Sequence, residues 1–166
     1  MAETARAYSL YDQLINLPET LTGSSLGDEL VGPFQKGRGG PGGWWIIDEP
    51  EVHFVRDVEV AVPDLAGWKR ERMPAVPRDH RFEVVPDWVC EILSASTASK
   101  DREIKMPLYA AHGVRYAWLV DPIGQTLEAL EMKDKTWVVL GSFSGEDRVA
   151  IAPFDAITIA LSDLWC

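Results

Sequence analysis

Trp88-Val89-Cys90-Glu91-Ile92-Leu93 is an apolar run with a single carboxylate in its middle. Its length and its valine, isoleucine and tryptophan content fit a buried central strand. Alternation along a strand sets Val89, Glu91 and Leu93 on one face and Trp88, Cys90 and Ile92 on the other. Neither face is polar, so a solvated glutamate fits poorly. Burying an unpaired carboxylate costs on the order of several kcal/mol, and a glutamate so placed calls for a cation, a metal or strong donors beside it. One strand earlier, Val60-Ala61-Val62-Pro63-Asp64 offers a second acid, and two acids in this arrangement suggest a metal site.

The surrounding chain fits a core able to bury such a site. At 166 residues and 46% hydrophobic content, with seven tryptophans, it reads as one domain over 1–166, with 1–23 as a helical extension. The only cysteines are Cys90 and Cys166, which make neither a disulfide framework nor a zinc site and fit a reducing, cytoplasmic setting. No apolar stretch approaches the roughly 18 residues of a membrane span, so no membrane association is expected. A net charge of -10 counts against broad electrostatic capture of nucleic acid. Charge is nevertheless uneven: Lys69, Arg70, Arg72, Arg78 and Arg81 outnumber Glu71, Asp79 and Glu83 between Leu65 and Val85.

Working outward, Ser9-Leu10-Tyr11-Asp12 opens a short helix that ends at Leu17-Pro18, and Ser25-Leu26-Gly27-Asp28 opens a second, carrying Glu29, that stops at Gly32-Pro33. The glycine-rich stretch 35–43 predicts a mobile loop or broad turn, most simply a linker, and lacks the Gly-Lys-Ser/Thr ending of a nucleotide-binding loop. Residues 44–47, 52–55 and 58–62 predict an antiparallel meander ending at Asp64, with 65–68 extending its last strand. After the 88–93 strand comes a loop, then a helix over 100–111 that Pro107 must kink or shift, closed by Gly113. Tyr116 to Val120 is again a buried strand, which makes a right-handed parallel crossover. Strands over 126–131, 137–143 and 156–160 complete an α/β (α+β) domain with a mixed sheet.

The chemistry follows from the ligand types. Mg2+ takes oxygen ligands in a near-octahedral shell, and Asp64 with Glu91 supplies carboxylates for it. Hydrolysis of a phosphodiester also needs a group that orients the attacking water and offsets developing negative charge. Lys105 lies on the helix after the Glu91 strand, with Asp101 and Tyr109 on the same helical face. Plainer roles exist for each: Asp64 ending a strand, Lys105 pairing with Asp101. His53, His80 and His112 show no metal-ligand spacing, and the tryptophans read as core rather than base-stacking residues.

The ordered series Pro63-Asp64, Trp88 to Ser94, Lys105 with Tyr109, Gly113-Val114 and Tyr116 to Pro122 resembles the Uma-type restriction-endonuclease family of the PD-(D/E)XK nuclease superfamily. The resemblance covers most of the chain from about Trp44 onward. It implies a restriction-endonuclease-like core flanked by helices, Mg2+ or Mn2+ held by Asp64 and Glu91, and a DNA substrate; cutting two strands needs two sites, which favours a homodimer joined through Trp44-Trp45 or the C-terminal strands. The superfamily's usual lysine position, two residues after the second acid, is Leu93 here. The family's relocation of that lysine to the next helix points to Lys105, with Lys100 as the substitute. An acid from the first core helix is often a further metal ligand, and Glu29 is the candidate. Family members carry a longer stretch after the opening helix, whereas Thr22-Gly23-Ser24-Ser25 passes almost directly into Leu26, which implies a shortened first core helix. Two functions therefore stand open: a Mg2+-dependent endonuclease using Asp64, Glu91 and Lys105, or a nuclease-like scaffold kept for protein or nucleic-acid association. Hydrolysis of small phosphate esters is a third.

Overall fold

A computed structural model describes residues 17–94 and 101–165, with side chains from residue 22 and, in the second stretch, from residue 102. The helix expected from Ser9, the loop after Ser94, Lys100 and the Asp101 side chain lie outside the described residues.

The strand decided by the sequence is the middle of the molecule. Taking labels in chain order, α1 (Leu17–Leu30) leads through a π-helical turn (Val31–Gln35) to β1 (Trp44–Asp48), β2 (Glu51–Val55), β3 (Glu59–Ala61), β4 (Leu65–Lys69), β5 (Arg81–Phe82) and β6 (Trp88–Ile92). A π-helical turn (Asp101–Lys105) and α2 (Met106–Ala111) then lead to β7 (Tyr116–Asp121), β8 (Thr126–Lys133), β9 (Thr136–Ser144), β10 (Arg148–Val149) and β11 (Ile159–Ala160), before a closing 3-10 turn (Leu161–Leu164). Six strands form one sheet in the order β1-β4-β6-β7-β8-β9. β6 pairs antiparallel with β4 and parallel with β7, so the expected crossover is present. Every β6 residue is buried.

The two faces of β6 separate as alternation requires. Trp88, Cys90 and Ile92 join the layer under α1, with Leu26, Leu30, Trp118 and Phe154. Val89 and Leu93 join the other layer, with Met106 and Tyr109 of α2. Aromatic rings fill the first layer edge-on: Trp88 meets Trp118 at 5.3 Å and Phe154 at 4.9 Å between centroids. Trp44, Trp68, Trp88 and Trp118 are buried, and the indoles of Trp45, Trp137 and Trp165 donate to the carbonyls of Met73, Met106 and Gly145. The tryptophans are packing residues, as expected.

Three expectations need correction. The first is the meander: β1 pairs with β4, whereas β2 and β3 leave the main sheet and join β5 in a separate three-stranded sheet. The strands from 44 to 62 alternate alike, and nothing local tells which will be neighbours, since pairing follows burial of faces rather than order along the chain. The second is the helix boundary. The described chain is already helical at Leu17, ahead of Ser25, and α1 runs unbroken through Thr22-Gly23-Ser24-Ser25 to Leu30. Those small residues are weak helix formers, but tertiary contact overrides propensity. A side chain added at Gly23 would sit 3.6 Å from Ile92, and the Thr22 hydroxyl donates to the Leu164 carbonyl at 2.9 Å. The helix expected to open at Ser25 is thus the last part of a longer one.

The third is the glycine-rich stretch, which is anchored rather than a plain linker. Arg38 and Gly42 amides donate to Gly32 and Pro33 carbonyls. The Gln35 side chain accepts from the Ile46 amide, and the Arg70 guanidinium, 4.1 Å above the Trp45 ring, donates to the Gln35 carbonyl. Pro107 acts as its chemistry demands: it falls in the first turn of α2, where its missing N–H costs nothing, and the helix proper starts at Met106. Gly113, with φ of 77°, ends it.

Candidate metal centre of a nuclease-like site

The β4–β6 register brings the two predicted acids together. Leu65 pairs with Cys90, so one further step along the antiparallel ladder sets Asp64 opposite Glu91. Both lie on the α2 side by alternation, because Leu65 packs in the α1 layer and Ala66 in the α2 layer. An Asp64 carboxylate oxygen accepts the Ile92 amide at 2.6 Å, fixing the acid to the end of β6. Glu91 is 1% exposed.

The partners that the sequence demanded for Glu91 come from the helical segment after β6. Lys105 Nζ donates to Glu91 Oε2 at 3.1 Å and to the Val62 carbonyl at 3.1 Å, two residues ahead of Asp64. Tyr109 Oη donates to Glu91 Oε1 at 2.5 Å. Lys105 and Tyr109 reach the same carboxylate because residues four apart share a helical face. Such a short, charge-assisted phenol–carboxylate bond within the core offsets much of the desolvation of Glu91. The neighbouring thiol responds to this crowding: burial first, then the charges of Asp64 and Glu91, push Cys90 well above the usual thiol range.

A hairpin closes over α2. Phe54 of β2 packs 5.9 Å from Tyr109 and stacks on His112 at 4.9 Å, while His112 meets Glu59 of β3 at 2.5 Å. Sequence reading gave Tyr109 a place on the helical face but no role. Its hydrogen bond to Glu91 emerges only when β6 and α2 are packed.

The structure does not bring Glu29 to this group. It stands one residue before the end of α1, whose Leu26 and Leu30 pack on the sheet face opposite to that of Glu91. Asp48, at the end of β1, faces Asp28 of the same helix, and partial burial followed by Asp28 raises its carboxyl above the usual range.

A cluster that the sequence missed lies in the small sheet. Ligand atoms of Glu51, His53 and His80 fall within 4.8 Å of one another, and the 27-residue gap between the histidines hides this from any spacing rule. The hydrogen bonds argue against a metal there. His53 Nδ1 accepts the Asp57 amide at 3.0 Å, which leaves the proton on Nε2, where it is shared with Glu51 Oε1 at 2.7 Å. Both ring nitrogens are thus engaged, Nδ1 by the turn between β2 and β3 and Nε2 by Glu51 at the start of β2.

The model of the Uma2 family, described as putative restriction endonucleases, matches residues 18–162. The chain belongs to the Uma2 family. The Uma2 match spans both acids, Lys105 and Tyr109, so the residues gathered at the β4–β6 strand ends all fall within it. No curated protein matches the chain in sequence. Among solved structures, a putative nuclease belonging to DUF820 from Anabaena variabilis ATCC 29413 is 22% identical, with a TM-score of 0.65 over 89% of this chain and 80% of that one. At that identity the likeness establishes the fold, a nuclease-like mixed α/β architecture. No helix among the described residues is long and apolar enough to cross a membrane.

Proposed function

We propose that this Uma2 member is a metal-dependent DNA endonuclease. The observation that carries the reading is a carboxylate 1% exposed, directly across an antiparallel ladder end from a second acid and hydrogen-bonded to a lysine. Proteins rarely bury such a group without use for its charge. The donor set fits a hard divalent cation: among the described residues the group offers oxygen ligands from two acids and neither a thiolate nor a histidine. Asp64 and Glu91 would hold Mg2+ or Mn2+.

When bound, the cation would polarise a phosphoryl oxygen and lower the pKa of a coordinated water. The remaining work falls to the chain. Asp64 is held in register by the Ile92 amide, and Glu91 by Tyr109 and Lys105, so the two acids are preorganised before substrate arrives. Lys105 carries the positive charge that offsets charge building on the phosphate, and its ammonium orients the attacking water as a hydrogen-bond donor. Leu93, on the same face of β6 as Glu91, is buried with Met106 in the α2-side layer, an apolar surround for the carboxylate. Glu29 has no part in this reading.

The experiment is cleavage of plasmid and oligonucleotide DNA in Mg2+ and Mn2+ by wild type, Asp64→Ala and Glu91→Ala. Each variant is expected to lose roughly a hundredfold or more in rate while its fold persists by circular dichroism. Undiminished cleavage by both would sink the assignment.

One observation favours a nuclease-like scaffold instead. Three of the five bases in the 65–85 segment, the natural candidates to meet a phosphate backbone, are paired within the chain: Arg70 on Trp44 and Gln35 carbonyls, Arg72 on Asp87 and Val85, Arg81 on Asp57 and Asp79. Calorimetric titration with Mn2+ separates the two readings. Stoichiometric binding lost in Asp64→Ala supports the enzyme, and no binding supports the scaffold.

A further inference from the structure

The two oxygens of Glu91 are not equivalent. Oε1 accepts from Tyr109 at 2.5 Å, and Oε2 accepts from Lys105, whose ammonium also holds the Val62 carbonyl next to the Asp64 turn. Lys105 thus ties Oε2 to the backbone two residues ahead of Asp64. Tyr109 is itself immobilised. It is 0% exposed, Phe54 packs on its ring, and the Val114 amide donates to its carbonyl as the chain leaves α2. A phenol held from its ring and its backbone cannot swing away when the carboxylate takes up a cation.

Resting on the metal-dependent reading above, we infer that Tyr109 sets which divalent cation the site accepts, by restricting Glu91 to one-oxygen coordination through Oε2. Mg2+ is small, demands octahedral geometry and takes carboxylates one oxygen at a time, whereas Ca2+ accepts six to eight oxygens and readily binds both oxygens of a carboxylate. A glutamate with Oε1 pinned suits the first ion and handicaps the second. Tyr109 is thus a positioning residue: it acts on the metal through Glu91 and touches neither metal nor substrate.

The test is calorimetric titration of the full chain with Mg2+ and with Ca2+, in wild type and Tyr109→Phe, which keeps the ring and deletes only the hydroxyl. The expected result is a rise of about tenfold in the affinity for Ca2+ relative to Mg2+, the size of effect typical of partners that orient a metal ligand. A merely structural tyrosine would weaken both ions together, and an unchanged ratio overturns the inference while leaving the nuclease reading intact. Should Tyr109→Phe fail to fold, infrared difference spectra of wild type, Mg2+-bound minus metal-free, decide the matter, with Glu91→Gln identifying the band. A wide splitting between the antisymmetric and symmetric carboxylate stretches supports one-oxygen coordination, and a narrow splitting overturns it. If wild type binds neither ion in an Asp64-dependent way, the metal reading fails and this inference with it.

Discussion

Glu91 joins stability to function in this chain. A carboxylate at 1% exposure depends on its donors, and Lys105, whose side chain is 18% exposed, supplies the charge that balances it. Removing one partner of a buried pair leaves the other uncompensated, which costs more than the pair itself contributes. Lys105→Met is accordingly expected to destabilise the metal-free protein by about 3 kcal/mol, the lower end for a buried pair because the lysine reaches solvent. It should also abolish cleavage. Because a divalent cation can take over the balancing of Glu91, Mn2+ is expected to raise the melting temperature of Lys105→Met more than that of wild type. Differential scanning calorimetry with and without Mn2+ checks both statements, and equal shifts would separate Lys105 from the metal site.

At the scale of elements, β6 is enclosed from both sides: α1 covers Trp88, Cys90 and Ile92, and α2 covers Val89 and Leu93. Cys90 is 0% exposed beneath α1. Alkylating reagents are expected to leave Cys90 unmodified under native conditions and to label it fully in denaturant, read by peptide mass spectrometry. Labelling at the rate of a free thiol would show that α1 lifts from the sheet. The β2–β3 hairpin has a separate task. Its strands alternate like those of the main sheet, yet they fold over α2, where Phe54 and Glu59 hold His112 and steady Tyr109. Sequence placed these strands in one meander because local alternation states which residues face a core but not which core. The same limit hid the cluster of Glu51, His53 and His80, and the contact between Tyr109 and Glu91.

Across the whole molecule, the two ends of the described chain meet on one face of the sheet. Thr22 of α1 donates to the Leu164 carbonyl across a separation of 142 residues, and both residues are fully buried. Thr22→Val keeps the shape and deletes the donor, leaving a buried carbonyl unsatisfied. A loss of about 1 kcal/mol is expected, seen as a lower denaturant midpoint with unchanged slope. No change would mean that the helix and the closing turn are held by apolar contact alone.

The sequence by itself determined the strand 88–93 with its two faces, the parallel crossover to β7, the shift of the helix start by Pro107, and the pair Asp64 and Glu91. Each of these is written locally, in a period of two, in the missing N–H of a proline or in a carboxylate surrounded by apolar neighbours. Tertiary structure alone decided that β1 pairs with β4, that α1 runs back through four weak helix formers, that Glu29 falls on the far face of the sheet and that Tyr109 takes one oxygen of Glu91. Those outcomes depend on which buried surfaces meet. Burial is non-directional and long in range along the chain, so no window of sequence contains it.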